Sequence, residues 1–135
     1  MAIRQISAFI PNTEGALADI TEIFYENSID LRAITVYDTT EYCILRCIVD
    51  DPDRAVVLLN AGGIVAKVSD VLAIDPKDEI GSLNKIFRLL GDNAVNIDYI
   101  YSFFVRKDEA QYFVMKVSDI KMAEELLRGA GVKVI

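Results

Sequence analysis

Apolar residues along this 135-residue chain alternate between short continuous runs and runs at helical spacing. Short apolar or β-branched runs bounded by turn residues predict strands. Leu17, Ile20 and Phe24 recur at the spacing of three to four residues that is typical of an amphipathic helix. The first half therefore predicts strand 3–10, helix 15–27, strands 29–37 and 42–49, helix 52–60 and strand 64–67.

The second half of the chain repeats the pattern of the first. Gly15 and Gly81 lie 66 positions apart, and this offset holds without a gap through the first helix and the second strand. After a longer loop near residues 106–109, the two copies match again at an offset of 69 positions, which pairs Asp50 with Asp119. Near the end of the chain the offset becomes 68 positions. A self-match of this length indicates a duplicated unit. The second copy predicts strand 69–75, helix 81–90, strands 95–106 and 110–118, helix 120–128 and strand 132–135. Helical spacing in its first helix predicts the core positions Leu83, Ile86, Phe87 and Leu90.

The order β-α-β-β-α-β in each copy is typical of a ferredoxin-like fold, with an antiparallel sheet and both helices on one face. We therefore predict an α+β protein of two such units, residues 1–67 and 68–135. Only Lys67 and Val68 join the copies, and a join this short predicts units that pack directly. Residues 99–105 are apolar or aromatic at nearly every position, so we expect the other unit or another chain to cover the second face of that strand.

Charge and composition exclude several classes of function. The net charge of −7 and the pI near 4.5 argue against nucleic acid and against an anionic membrane surface as partners. The absence of histidine removes the commonest general base and the commonest metal ligand. No apolar run approaches the ~20 residues of a membrane span, and we expect no signal peptide before the first strand. We expect a cytoplasmic protein.

Few residues offer catalytic or metal chemistry. Cys43 and Cys47 share one face of a predicted strand about 13 Å apart, too far for a disulfide, and we expect them to be buried as small hydrophobic residues. Asp50, Asp51 and Asp53 lie at the start of a predicted helix and predict a capping cluster rather than a metal site. No nucleophile–base spacing, phosphate loop or metal-ligand spacing is present, so we expect no enzyme activity, cofactor or metal.

The residues with the strongest functional signal lie where the first strand of each copy turns into a helix. Residues 10–17 read Ile-Pro-Asn-Thr-Glu-Gly-Ala-Leu, and residues 74–83 repeat this arrangement. A helix that begins at such a turn presents free backbone N–H groups, which favour carboxylates and other anions. Asn12 and Asp78 are equally consistent with ligand contacts and with simple helix capping.

Residues 12–17 followed by residues 28–31, and residues 78–83 followed by residues 94–97, resemble the ACT domain over the whole chain, twice. The resemblance implies small regulatory modules that bind amino acids and related metabolites at an interface between ACT units. It implies that the ligand's charged groups meet the turn and that the residue opening the second strand reaches it from the neighbouring unit. The implied ligand-binding residues are Asn12, Gly15, Ala16, Leu17, Asp30, Asp78, Ile80, Gly81, Ser82, Leu83 and Asn96. In this chain Glu14 and Ile80 stand where the family often has proline, and Asp30 stands where it usually has asparagine.

Two functions follow as hypotheses. The first is a non-catalytic regulatory protein that binds a small amino acid or a related metabolite. The alternative is a regulatory subunit or interaction module that docks on an amino-acid biosynthetic enzyme without a ligand of its own. The high hydrophobic share of 53% fits a homodimer, and the aromatic residues of the strand at 99–105 fit either interface packing or a pocket. The identity of the ligand, the enzyme partner and the copy that binds stay open.

Overall fold

The strands and helices follow the predicted order of two βαββαβ repeats. The computed structural model describes residues 2–135 and, for Arg106, the backbone alone. The chain divides into an N-terminal unit, Arg4–Ser69, and a C-terminal unit, Asp70–Ile135, to which Ala2 and Ile3 are added. Each unit is described separately below.

Antiparallel pairing and two helices build the N-terminal unit. Strand β3 pairs with β1 on one side and with β2 on the other, and the sheet order is β2-β3-β1-β4. The Asp51 carboxylate accepts a hydrogen bond from the Arg54 amide at 3.2 Å and caps the second helix, as the sequence predicts. The elements are β1 Ile3–Pro11, α1 Ala16–Glu26, β2 Leu31–Asp38, β3 Tyr42–Val49, α2 Pro52–Ala61 and β4 Val65–Asp75.

The C-terminal unit has the same plan, with the second part of β4 as its first strand. Its sheet order is β7-β4-β6-β5, and every neighbouring pair is antiparallel. A 3₁₀ turn, Arg106–Asp108, connects the last residue of β5 to β6. The remaining elements are α3 Ser82–Asp92, β5 Ile97–Val105, β6 Ala110–Val117, α4 Ile120–Gly129 and β7 Lys133–Val134.

Strand β4 corrects one prediction. The sequence analysis placed two strands, 64–67 and 69–75, on either side of a join at Lys67 and Val68, but Val65–Asp75 is one uninterrupted strand. No glycine, proline or asparagine lies between Val65 and Asp75, and Ser69 and Asp70, the two residue types there that turns often use, are accommodated in the extended strand. The predicted domain boundary after Lys67 stays a prediction.

The alignment of the two copies in their second halves is also corrected. The Asp30 amide donates to the Asp50 carboxylate at 3.0 Å, and the Asn96 amide donates to the Ser118 hydroxyl at 2.9 Å. Asp50 therefore corresponds to Ser118 and not to Asp119, so the offset is 68 and not 69 at this point. The physical reason is that the second copy gains two residues here and not three, one in β5 and one in the loop that follows it.

One hydrophobic core lies between the sheet and the helices of each unit. Ile20 and Phe24 of α1 are buried in the first core, and Ile86 and Leu90 of α3 are buried in the second. These positions were predicted from helical spacing. Leu17, Leu83 and Phe87 share that spacing but stay partly or largely exposed: Leu17 and Leu83 lie in the first turn of their helix, and Phe87 lies about 100° around α3 from the buried Ile86.

The two cysteines are free and buried, as predicted. Burial raises the pKa of the Cys47 thiol to about 12. A buried thiol held in its neutral form is a poor nucleophile, since the thiolate is the reactive species.

We therefore expect neither thiol of the native protein to react with a disulfide reagent at pH 8, and both to react once the protein is unfolded in denaturant. Counting the released chromophore with and without denaturant checks this. Rapid labelling of the native protein would show that the strand carrying Cys43 and Cys47 opens readily.

Strand β5 stays partly exposed along its length. None of the side chains from Ile97 to Val105 is buried by the residues that the structure describes, and Asp98, Ser102 and Phe104 are exposed. The rings of Tyr99 and Tyr101 stack with their centroids 6.4 Å apart. What covers the second face of this strand stays a prediction.

Candidate functional site

A glycine in the left-handed region begins the first helix of each unit. Gly15 has φ 80° and ψ −6° before α1, and Gly81 has φ 90° and ψ −3° before α3. Glycine adopts this region without the strain that a β-carbon brings. Within residues 2–135, no side chain caps either helix. Each helix therefore begins directly after the strand, and no side chain that the structure describes accepts a hydrogen bond from its first backbone amides.

Free amides at the start of α3 were predicted from the turn motif, and the structure has them. The Ser82 amide donates to the Glu79 carbonyl at 3.2 Å, but the amides of Leu83 and Asn84 find no acceptor among the described residues. Unpaired N–H groups and the helix dipole together favour an anion at this point. The equivalent amides of α1, also without an acceptor in the described part of the chain, are those of Leu17 and Ala18.

An open cleft of about 890 Å³ lies beside the β4–α3 turn within the C-terminal unit. The turn and the first residues of α3 form one side of it, and the ends of β5 and β6 where the chain reverses form the other. Its size is in the range of small-molecule sites, about 300–1,000 Å³. The residues that line it are Asp75, Pro76, Lys77, Asp78, Glu79, Gly81, Ser82, Leu83, Asn84, Phe104, Glu109, Ala110, Gln111 and Phe113.

The N-terminal unit uses its turn differently. The Asn12 side-chain amide donates to the Thr39 carbonyl at 3.1 Å, and the Asn12 backbone amide donates to the Glu41 carbonyl at 3.1 Å. These bonds tie the β1–α1 turn to the β2–β3 turn. Asp78, the equivalent of Asn12, makes no hydrogen bond or ion pair with any residue that the structure describes. The second turn is therefore free to contact a ligand where the first is held by its neighbouring loop.

The structure brings four of the predicted site residues together and leaves others apart. Asp78, Gly81, Ser82 and Leu83 line the cleft. Ile80 belongs to the same turn but does not line the cleft, since its side chain is fully exposed. Gly15, Ala16 and Leu17 form the corresponding turn in the N-terminal unit, where their role in binding stays a prediction.

Asp30 and Asn96 are not near the turn of their own unit. The Asn96 side chain donates to the Asp98 carboxylate at 2.9 Å, and Asp30 pairs with Arg32 at 3.5 Å. Each residue follows the far end of an 11-residue helix, and a helix of that length spans about 16 Å. Their contribution to a ligand site from a neighbouring unit stays a prediction.

The sequence analysis missed most of the other side of the cleft. Phe104 was one of the strand aromatics for which interface packing and a pocket were both left open, but Phe113, Glu109 and Gln111 were not considered as site residues. One signal was available: the loop between β5 and β6 is longer than its counterpart, and extra length in a repeat often maps to a functional face.

Tyr112 anchors that longer loop. Its hydroxyl donates to the Asp108 carboxylate at 2.6 Å, and its ring meets Phe103 edge to face with centroids 5.6 Å apart. The loop then reaches Glu109, which has φ 48° and lines the cleft. The hydrogen bond to Asp108, helped by burial, raises the pKa of Tyr112 to about 12.

The raised pKa predicts a loss of stability at high pH. A tyrosine whose pKa is raised on folding stabilises the protein below its ordinary pKa of 10.0, and this contribution disappears as the pH rises through about 12. When tyrosine ionisation is followed by ultraviolet absorbance, we expect Tyr112→Phe to remove the step that occurs at the highest pH. A titration with the same highest step in the variant would show that another tyrosine produces it.

Among residues 2–135, no group of three or more histidine, cysteine, aspartate or glutamate side chains is placed to hold a metal ion. No helix in the described part of the chain has the length and apolar character that crossing a membrane requires.

Comparison with known proteins identifies the family. Residues 1–128 match the family described as ACT domain pair. The crystal structure of protein BT0572 from Bacteroides thetaiotaomicron is 30% identical and has a TM-score of 0.91, with 100% of this chain and 92% of that chain covered.

Two solved structures of regulatory subunits share the fold at lower identity. The ligand-free regulatory subunit of aspartate kinase from Thermus thermophilus is 19% identical, with a TM-score of 0.68 over 95% of this chain and 90% of that chain. The regulatory subunit of aspartate kinase from Thermus flavus is 20% identical, with a TM-score of 0.66 over 93% and 88%. No curated protein sequence matches. The match over residues 1–128 and the similarity to protein BT0572 show that the chain belongs to the ACT domain pair family.

Proposed function

We propose that this protein is a non-catalytic regulatory protein that binds a free amino acid or a closely related metabolite at the β4–α3 turn. The observation that carries the proposal is the cleft beside that turn, into which an uncapped helix N-terminus opens. Family membership supports a regulatory role, and the chemistry of the cleft supports an amino acid as the ligand.

Both charged groups of an amino acid find partners in the cleft. The amides of Leu83 and Asn84 are free to receive the carboxylate, and the Ser82 hydroxyl lies beside them. The carboxylates of Asp78 and Glu109 line the cleft and attract the ammonium group. In this proposal Gly81 keeps the turn free of a side chain, so that the ligand can approach the backbone closely.

A thermal-shift screen against the twenty amino acids at millimolar concentration tests the proposal. A ligand at about 100 times its Kd stabilises the native state by about 2.7 kcal/mol, which raises the Tm by several degrees in a protein of this size. We expect a few chemically related amino acids to raise the Tm and the rest to leave it unchanged. A flat result for all twenty would refute the proposal.

The exposed aromatic strand β5 favours a homodimer. Edge strands of soluble proteins are usually protected by charged residues or proline, but Tyr99–Val105 carries neither. We propose that a second copy covers this strand. Light scattering is expected to give twice the chain mass of 15.0 kDa, and a species of 15.0 kDa at micromolar concentration would contradict it.

The same surface supports a second candidate function, a regulatory subunit that docks on an amino-acid biosynthetic enzyme. The fold shared with regulatory subunits of aspartate kinase makes this a natural alternative. Purification of the tagged chain from its source cells separates the two readings. A stoichiometric enzyme partner together with a flat thermal-shift screen would favour the docking function over ligand binding.

A further inference from the structure

We infer that the C-terminal unit holds the single amino-acid site of each chain, and that Phe104 and Phe113 select a ligand with an aromatic or large apolar side chain. This inference rests on the proposed function, because it assumes that an amino acid enters the cleft. It adds the class of ligand, the residues that select it and the number of sites.

Two phenylalanines form the apolar part of the cleft. Phe104 lies near the end of β5 and lines the cleft. It is 61% exposed, although exposure to water is unfavourable for an aromatic side chain. Phe113 on β6 packs against the core on one side and lines the cleft on the other. Exposed aromatic rings in a concave site with a few polar groups are typical of small-molecule pockets.

The charges of the cleft restrict the ligand further. Among the described side chains that line it, four carry carboxylates, those of Asp75, Asp78, Glu79 and Glu109, and one carries an ammonium group, that of Lys77. A second negative charge on the ligand would be repelled by this excess of carboxylates, so acidic amino acids are disfavoured. A basic side chain would have to place its charge against Phe104 and Phe113, where desolvation opposes it. A neutral, largely apolar ligand side chain avoids repulsion by the carboxylates and packs against Phe104 and Phe113 without burying a charge.

The N-terminal unit lacks this apolar wall. By the offsets of 66 and 68, Phe104 and Phe113 correspond to Asp38 and Leu45. Asp38 places a carboxylate where the C-terminal unit has a ring, and Leu45 is fully buried and cannot line an open site. Asn12 is already bonded to the β2–β3 turn. We therefore expect one ligand per chain.

Isothermal titration calorimetry of the full-length protein tests ligand class and number together. The probes are L-phenylalanine, L-leucine, L-lysine and L-glutamate, with phenethylamine and 3-phenylpropionate as analogues that lack the carboxylate or the ammonium group. We expect L-phenylalanine or L-leucine to bind at least tenfold more tightly than L-lysine and L-glutamate, at one molecule per chain. We expect each analogue to bind at least tenfold more weakly than L-phenylalanine.

Variants then locate the site. Phe104→Asp introduces the residue of the N-terminal unit and is expected to weaken L-phenylalanine binding at least tenfold, with the unliganded Tm unchanged because the side chain is exposed. Tyr37→Ala is the matched control, since Tyr37 is an exposed aromatic residue on the equivalent strand of the N-terminal unit. It is expected to leave binding unchanged.

The outcomes separate this inference from the function on which it rests. If L-lysine or L-glutamate binds most tightly, the ligand class is wrong and the amino-acid function stands. If two molecules bind per chain, or Phe104→Asp binds as wild type does, the assignment of the single site is wrong. If none of the four amino acids binds and the full thermal-shift screen is flat, both fall together.

Discussion

Leu90→Ala is expected to lower the free energy of unfolding by about 2–5 kcal/mol, the usual range for a leucine truncated in a packed core. Leu90 is fully buried in α3 and belongs to the core cluster that also contains Leu72, Met115 and Leu127. Its carbonyl also accepts a hydrogen bond from the Val95 amide at 2.9 Å, which ends the helix and directs the chain into β5. Truncation leaves a cavity that the surrounding strands and helices fill only in part. Urea denaturation followed by circular dichroism measures the loss.

Two control variants show whether the loss comes from the cavity. Phe87→Ala lies one turn earlier on α3, where 38% of the side chain is exposed, and it is expected to cost clearly less. Leu90→Met keeps the volume and is expected to cost less than about 1.5 kcal/mol. If Phe87→Ala were as costly as Leu90→Ala, burial in this core would not be the source of stability.

Patterns that repeat over a short distance predicted most of the fold. Helical spacing placed Ile20, Phe24, Ile86 and Leu90 in the cores, and the gap of 66 positions between Gly15 and Gly81 identified the duplication. Both signals depend on the geometry of one helix or one turn, and the sequence alone records that geometry. The same local reasoning predicted the amides at the two turns, because an uncapped helix always leaves its first N–H groups unpaired.

Predictions that depended on where an element ends were weaker. Strand β4 was divided at Lys67 because the copies were expected to meet there, although it contains no glycine, proline or asparagine. The offset of 69 arose because Asp50 and Asp119 are both acidic and both precede a helix. The structure pairs Asp50 with Ser118, since a carboxylate and a hydroxyl accept the same backbone hydrogen bond. Matching residues by type was misleading here, because an aspartate in one copy and a serine in the other accept the equivalent hydrogen bond.

The cleft itself depends on contacts between residues far apart in the sequence. Phe113 lies beside the β4–α3 turn because it pairs with Ile74 of β4, and Phe104 lies on β5 opposite Gln111 of β6. Glu109 belongs to the longer β5–β6 loop, which Tyr112 holds through Asp108. Periodicity says nothing about such a loop. The difference between the two turns likewise rests on Asn12, whose bond to the Thr39 carbonyl joins residues 27 positions apart.

Gly81→Ala is expected to destabilise the protein by about 1–2 kcal/mol and also to weaken amino-acid binding. At φ 90° a β-carbon is strained by its own backbone, and the left-handed region costs an ordinary residue about 1–2 kcal/mol. No atom lies within 4 Å of the added β-carbon, so the cost comes from the backbone conformation and not from a clash. Relaxing that strain rotates the turn and displaces the amides of Leu83 and Asn84, on which the proposed ligand carboxylate depends.

Gly91→Ala is the matched control, since Gly91 lies in the same helix, has no positive φ and also has open space around its β-carbon. Alanine favours the helix over glycine, so this variant is expected to be more stable by up to about 0.5–1 kcal/mol and to bind the ligand as wild type does. Gly81→Asn is expected to fall between wild type and Gly81→Ala, because asparagine tolerates the left-handed region better than alanine. Chemical denaturation and calorimetry with the best-binding amino acid measure both effects. A Gly81→Ala protein with wild-type stability and affinity would mean that the left-handed turn neither needs glycine nor holds the ligand.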